Sequence, residues 1–459
     1  MRIYSLLCLG LLSLFHPLSV SGCTTVSVKT TDGSTVVGRT MEFEFSPILN
    51  PAYALQTYPK GSLQFSRPSE KPKNDYAFAA IGVDIPLPGH HFVPYITATE
   101  GMNSEGLTIS LQLLRAAEYE QAKGDGGGED GDSRPTVYWV DLVAYLLGTC
   151  GSWEDVASRL ENLKVIDPPV WNVLDARAHW IVTDASGSQH VFTWLKGKLV
   201  VWDNSEVGVT TNDPPLDWHL QNLANFVNVS PFKPSVPEWV QSDSPVGAVP
   251  FSGKKLPNGM NLLGLPGDFT PAGRFVRMYF LSKFAESEGT GGASRLGSVY
   301  EGIEAVQNIL NSVGIPRGSL RVDHSKKTSQ TAEETSLRLF VGEMKNGNAS
   351  SDKRLRGSSP FVSSSDSGSS EEEEEDSQWG SLNIHDLYNR LEEGETQWTV
   401  LKLPKEGKLL FRTYQNTQWR MLDVKALTEA KEKKTLRLFD SKNSADPFEQ
   451  LGVQALSLL

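Results

Sequence analysis

Ser21-Gly22-Cys23-Thr24-Thr25-Val26-Ser27-Val28 divides the chain into two unlike parts. The residues before it have the layout of a secretion signal. Arg2 gives a positive start, residues 4–15 form an apolar leucine-rich run, and small Ser19, Ser21 and Gly22 sit where a signal peptidase cuts. The run is shorter than the roughly 20 residues that a spanning helix needs. No later stretch is long enough either, which points to an exported chain with no membrane span. Cleavage after Gly22 would leave Cys23 first in the mature protein. Its thiol and the new α-amine would then supply a nucleophile and a base from one residue. Val20-Ser21-Gly22-Cys23 also fits the bacterial lipoprotein pattern, in which an acylated cysteine ties a non-catalytic binding protein to a membrane. Acylation blocks the thiol, so the two readings exclude each other. A lipoprotein cysteine is normally followed by a polar tether, whereas here an alternating strand begins at once.

That strand covers residues 23–29, and residues 35–43 are its return partner. Asp32-Gly33 between them is the signature of a two-residue type I′ turn, which needs positive φ at both central positions. Such a turn pairs residues whose numbers sum to 65. Cys23 is then expected opposite Glu42 on one face, with Arg39 opposite Val26 and facing the other way. A bulge at Gly38 would change this.

The chain has 459 residues, enough for a large core in one or two domains. Its net charge is −12, and a basic footprint for nucleic acid is absent. Seven acidic groups, Asp366, Asp376 and the glutamates at 371–375, come from one short stretch. Cleavage would leave Cys23 and Cys150, too few for a disulfide framework; Cys150 reads as a buried thiol. Asn228-Val229-Ser230 and Asn348-Ala349-Ser350 are glycosylation sequons.

Alternating or apolar runs predict strands over 53–58, 77–83, 92–97 and 107–113, with residues 101–106 as a turn. Residues 121–134 form a Gly/Asp-rich surface loop that lacks a phosphate-loop closure. Helices are expected over 137–147 and 153–163. Strands then follow over 179–183, 190–194, 199–202 and 207–211, the first pair joined by Asp184-Ala185-Ser186-Gly187. Further helices are expected over 216–226, 271–284 and 299–313. Residues 328–395, rich in Ser, Glu and Gly, read as a solvated, disordered insertion. Strands resume over 396–403, 409–414 and 418–422. The division expected is therefore 1–22 signal, 23–327 catalytic domain, 328–395 insertion and 396–459 completing that same domain.

No G-x-S-x-G or H-E-x-x-H motif is present, and His90-His91 on a strand would point to opposite faces, so neither metal nor organic cofactor is expected. A Cys23 nucleophile needs a cation to favour the thiolate, a carboxylate to orient the amine, and donors for an oxyanion. Arg39 and Glu42 supply the first two types within one hairpin.

With Cys23-Thr24-Thr25 and Gly38-Arg39-Thr40-Met41-Glu42 stand further matching stretches. They are Met102-Asn103-Ser104-Glu105-Gly106-Leu107, Thr183-Asp184-Ala185-Ser186-Gly187, Thr211-Asn212-Asp213-Pro214 with Trp218-His219, and residues 264–271 with Arg274-Phe275. In this order the sequence resembles the choloylglycine hydrolase family, the bile salt hydrolases and penicillin V acylases of the N-terminal nucleophile (Ntn) hydrolase superfamily. The resemblance implies an α+β fold, a four-layer αββα sandwich of two antiparallel sheets between helices. It implies cleavage of a linear carboxamide in a small N-acyl substrate. It assigns Cys23 as nucleophile and proton carrier, Arg39 beside the sulfur, Asn212 in the oxyanion hole and Arg274 as a second arginine. Glu42 stands where relatives carry Asp. Leu113 stands where they carry Asn or Tyr, leaving a backbone N–H as donor there. Leu113 and Leu114 would suit an apolar acyl group. Homo-oligomerisation is left open.

Overall fold

The computed structural model describes residues 22–43, 53–65, 72–83, 97–120, 134–167, 177–232, 259–287, 296–321, 393–438 and 454–456. Strands are numbered in chain order. One sheet, A, runs β12 (Val209–Thr210), β1 (Gly22–Lys29), β2 (Thr35–Phe43), β14 (Glu393–Leu403), β15 (Lys408–Thr413), β16 (Trp419–Asp423) and β18 (Gln454–Leu456), with β13 (Leu320–Arg321) beside β14. The other, B, runs β11 (Lys198–Asp203), β10 (Gln189–Leu195), β9 (Ala178–Thr183), β6 (Thr108–Leu113), β5 (Thr97–Asn103), β4 (Phe78–Val83), β3 (Tyr53–Tyr58) and β17 (Lys434–Arg437). The pairings in both sheets are antiparallel. A short parallel pair, β7 (Thr136–Tyr138) with β8 (Lys164–Ile166), lies apart.

Helices α1 (Leu142–Thr149) and α2 (Trp153–Glu161) pack outside sheet B; α3 (Leu216–Asn222) follows β12. Helices α4 (Pro271–Glu286) and α5 (Val299–Val313) pack outside sheet A. The expected αββα layering is what the chain adopts. One apolar layer joins sheet B to α1 and α2, one fills the space between the sheets, and one joins sheet A to α4 and α5. Helix α4 starts with Pro271 at its first turn and Thr270 accepting from the Gly273 N–H. Helix α5 opens on a capping box formed by Ser298 and Glu301.

The β1–β2 hairpin departs from expectation by one residue. Thr30 N–H donates to Ser34 O and Gly33 N–H to Thr30 O, and Gly33 has φ 77°. This is a three-residue loop closed by a glycine in the left-handed region. Residues Asn103 to Leu107 and Asp184 to Ser188 repeat the pattern, with Gly106 and Gly187 at φ 85° and 81°. The loop pairs Cys23 with Met41, Thr25 with Arg39 and Gly22 with Glu42. Because side chains alternate, this one-residue shift moves Arg39 to the face of Cys23 and Glu42 to the opposite face. No bulge occurs at Gly38. A Cβ there would stand 2.3 Å from Val306 Cγ1, so glycine is what lets α5 rest on β2.

Other boundaries also move. β5 begins at Thr97 and continues to Asn103, through half of the expected 101–106 turn. Residues 137–141, expected as helix, fall in β7 and a 3₁₀ turn before α1 begins. The helix expected over 216–226 becomes 3₁₀ after Asn222. β14 pairs with β2 along Glu395 to Lys402, so the strands after residue 393 complete the sheet that holds Cys23. The 1–22 segment apart from Gly22, the 121–133 loop, His90-His91, Asn348 and residues 322–392 lie outside the described residues.

Candidate active site

Cys23 lies on the inner face of β1 and is 2% exposed. Its Sγ stands 3.4 Å from Arg39 Nη2 and 3.5 Å from Met41 Sδ, both from the neighbouring strand. Burial pushes the thiol above its ordinary range. The Arg39 guanidinium is the largest opposing pull; Glu42 adds to the rise and Arg274 opposes it.

Arg39 is fully buried between the sheets. Nη1 donates to Glu100 Oε1 at 2.9 Å; Nη2 donates to Leu111 O at 2.7 Å as well as facing the sulfur. Burial works against this charge, but Glu100 and then Cys23 outweigh it and hold the guanidinium protonated. Glu100 lies beside an irregularity where Ile81 pairs Glu100 and Gly82 pairs Ala98. A second irregularity between Thr396 and Trp398 lies across from Met41 and Glu42. Both re-aim side chains into the inter-sheet space beside Cys23.

Asn212 follows β12 and meets Cys23 at its backbone: Cys23 N–H donates to Asn212 Oδ1 at 2.7 Å. Asn212 Nδ2 donates to Leu113 O at 3.0 Å. The turn carrying Asn212 is pinned on both sides. Asp213 accepts from Arg115 N–H and Ala116 N–H, and His219 Nε2 lies 3.0 Å from Asn212 O. The Asp213–Pro214 peptide is cis.

Arg274, in the first turn of α4, reaches the same junction from the opposite side of sheet A. Nη1 donates to Cys23 O at 2.9 Å and to Thr24 Oγ1, Nη2 to Asn212 Oδ1 at 3.0 Å, and Nε to Phe269 O at 3.0 Å. Burial pulls its value down, with Glu42 the largest offset. Glu42 is fully buried and sits opposite Gly22; its Oε1 accepts from Thr396 Oγ1 at 3.0 Å. Burial pushes this carboxyl up, with Arg274 the largest offset. Glu42 therefore faces the amide side of Cys23 rather than its thiol, a correction to the face expected from the sequence.

The two leucines are also placed differently from expectation. Leu114 is buried in the apolar layer outside sheet B, on the far side of that sheet from Cys23. Leu113 contributes backbone: its O holds Asn212. Cys23, Arg39, Asn212, Arg274 and Glu42 do converge, within a few ångströms of one peptide. Glu100, Trp398, Lys402 and His219 join them, and of these only His219, in the Trp218-His219 stretch, belongs to a matching motif. Glu100 and Lys402 carried a signal: each is a charge inside an otherwise apolar or alternating strand, Thr99-Glu100-Gly101-Met102 and Trp398-Thr399-Val400-Leu401-Lys402.

A family model described as linear amide C–N hydrolases, choloylglycine hydrolase family, matches residues 23–337 and opens on Cys23 itself. The chain belongs to the choloylglycine hydrolase family. It is a hydrolase of linear amide C–N bonds. Among relatives of this choloylglycine hydrolase is the bile salt hydrolase/transferase of Clostridium perfringens. It is 29% identical over 308 residues, covering 66% of this chain and 82% of the relative. In fold, the family member is similar to a solved variant of the conjugated bile acid hydrolase from Clostridium perfringens. The TM-score is 0.60 at 22% identity, covering 90% of this chain and 96% of the other. It is also similar to penicillin V acylase from Agrobacterium tumefaciens, with TM-score 0.54 at 15% identity, covering 91% and 93%. No helix among the described residues is long and apolar enough to cross a membrane.

Proposed function

We propose that this protein is an exported cysteine amidohydrolase that cleaves a small N-acyl amide, with Cys23 as its N-terminal nucleophile once the leader is removed. The observation that carries the reading is a buried cysteine whose Sγ is 3.4 Å from one arginine while its own nitrogen is held by Asn212. After cleavage the nitrogen becomes an α-amine with an ordinary pKa of about 8, suited to moving protons near neutral pH. Glu42 and Asn212 Oδ1 border that position and orient the amine. In the first step the thiol proton passes to the amine and the sulfur attacks the acyl carbon. Arg39 favours the thiolate against the cost of burial.

The oxyanion that forms takes donors from Asn212 Nδ2 and Leu113 N–H. Leu114 N–H donates to Arg177 O, just before β9, so the preceding N–H points the other way, away from β9. Leu111 O and Leu113 O face that same side and are taken by Arg39 and Asn212. The C–N bond then breaks, the leaving amine takes its proton from the Cys23 ammonium, and a thioester remains. Water, deprotonated by the α-amine, cleaves the thioester and releases the acid.

A conjugated bile salt is the first substrate to try, because the Clostridium relative bears that activity in its name. Penicillin V and N-acyl amines complete the panel. Cys23→Ala should remove turnover and leave the fold intact, and Cys23→Ser should be slower than wild type; substantial hydrolysis by Cys23→Ala refutes the mechanism. Intact mass of the purified protein should show a free Cys23 at the N-terminus. A diacylglyceryl adduct would support the lipoprotein reading instead, against which stands the strand that buries residues from Gly22 onward. Mass spectrometry of the trapped thioester identifies the acyl group.

A further inference from the structure

We infer that Trp398 and Lys402 of β14 are positioning residues that act through Glu100 to hold the Arg39 guanidinium against the Cys23 sulfur. The inference rests on the reading of Cys23 as nucleophile. Both residues lie beyond the 23–337 stretch that the family model matches. They stand on alternate positions of β14 that face the space between the sheets.

A guanidinium is a rigid fork, so fixing one nitrogen fixes the other. Arg39 Nη1 is fixed by Glu100, and the position of Nη2 at the sulfur follows. Glu100 needs holding in turn. Trp398 Nε1–H donates to Glu100 Oε1 at 2.6 Å, the same oxygen that Arg39 uses. Lys402 Nζ stands 3.6 Å from Oε2 and donates to Ser110 Oγ at 2.6 Å. All four side chains are excluded from solvent.

Charge balance gives Lys402 a second effect. Arg39 and Glu100 alone would cancel, leaving little positive field at the sulfur. Lys402, whose pKa burial pulls down to about 8, restores a surplus of one positive charge below that pH in a cluster sealed from water, where such charges act strongly. On the other side of Cys23 the charged neighbours are Glu42 and Arg274, which oppose each other in the same way.

The test uses protein purified from expression of the full chain, with Trp398→Phe, Lys402→Met and Lys402→Arg. Trp398→Phe keeps a ring against Tyr53, 4.8 Å away, and removes the N–H donor together with part of the indole. The first readout is the pH dependence of iodoacetamide alkylation, with Cys23 followed by peptide mass. Cys150 lies far along the chain, in a different peptide, and is followed separately by its own mass. The second is kcat and KM on a conjugated bile salt and on penicillin V. Trp398→Phe and Lys402→Met should raise the Cys23 alkylation midpoint by about one pH unit. Each should lower kcat about tenfold, equivalent to ~1.4 kcal/mol, with KM changed by less than about twofold. Lys402→Arg should recover most of the loss. A lowered melting temperature with unchanged alkylation midpoint and kcat would mean a purely structural role and overturn the inference. If Lys402→Met fails to fold, Trp398→Phe decides by the same two readouts. Hydrolysis by Cys23→Ala would instead overturn the parent reading. A dead Cys23→Ala beside unaffected β14 variants would overturn this inference alone.

Discussion

Two buried arginines flank Cys23, and they are held by opposite chemistry. Arg39 lies between the sheets and is paired with a carboxylate, Glu100, at 2.9 Å. Arg274 lies on the helix side of sheet A and is held mainly by neutral acceptors: Cys23 O, Phe269 O, Thr24 Oγ1 and Asn212 Oδ1. The consequence is seen in their proton affinities, raised at Arg39 and lowered at Arg274. An ion pair fixes charge and direction together. A ring of carbonyl and hydroxyl oxygens fixes position while leaving the cation under-compensated. The first arrangement suits a group that must face a sulfur, the second one that must hold a peptide junction in register.

Removing each arginine should separate the two cases. Arg39→Met leaves buried Glu100 with Lys402, 3.6 Å from Oε2, as its remaining cation, which should cost ~3–5 kcal/mol of stability. It should also lower turnover by about 100-fold or more, the scale for deleting a preorganised electrostatic group. Urea denaturation and turnover of the same preparation check both. Arg274→Met leaves neutral oxygens unpaired, so the stability loss should be smaller, ~1–3 kcal/mol. Equal losses for the two variants would erase the distinction.

Glu42 sharpens the comparison through pH. Its folded pKa is raised from the ordinary 4.5 by burial, so the folded state keeps a proton that the unfolded state has released. Stability from this group is therefore full below about 4.5 and declines as pH rises through the folded value. Glu42→Gln should flatten that decline, and should gain on wild type as pH rises from 5 to 8 in chemical denaturation, while turnover falls. An unchanged pH slope would mean that Arg274 offsets the burial of Glu42 completely. The smallest effect belongs to a position outside both environments. Gly33→Ala places a Cβ at φ 77°, with Lys405 Nζ at 3.5 Å the nearest group, and should cost ~1–2 kcal/mol with kcat unchanged.

Much of the sandwich was legible. Strands 53–58 and 179–183 and helix 299–313 follow from period and capping, and α4 announces itself by Thr270-Pro271. The site residues came from motif order, and the structure brings all five to the peptide around Cys23. What failed was the faces of Arg39 and Glu42, because Asp32-Gly33 fits two turn types that differ by one residue. Whether Thr30 closes the loop depends on its N–H reaching Ser34 O, which composition does not specify. Glu100 and Lys402 were passed over because a charge in a strand normally marks its wet face. Their burial arises from two sheets meeting, a contact between segments some 300 residues apart in sequence.

The repeated five-residue turn imposes a parity rule on this protein. Odd changes in loop length at Thr30 to Ser34 would invert β2 and carry Arg39 out of the space that Cys23 occupies. Even changes would preserve the arrangement. Loop variants that remain active should therefore differ from this chain by pairs of residues, or else carry a compensating single insertion inside a strand.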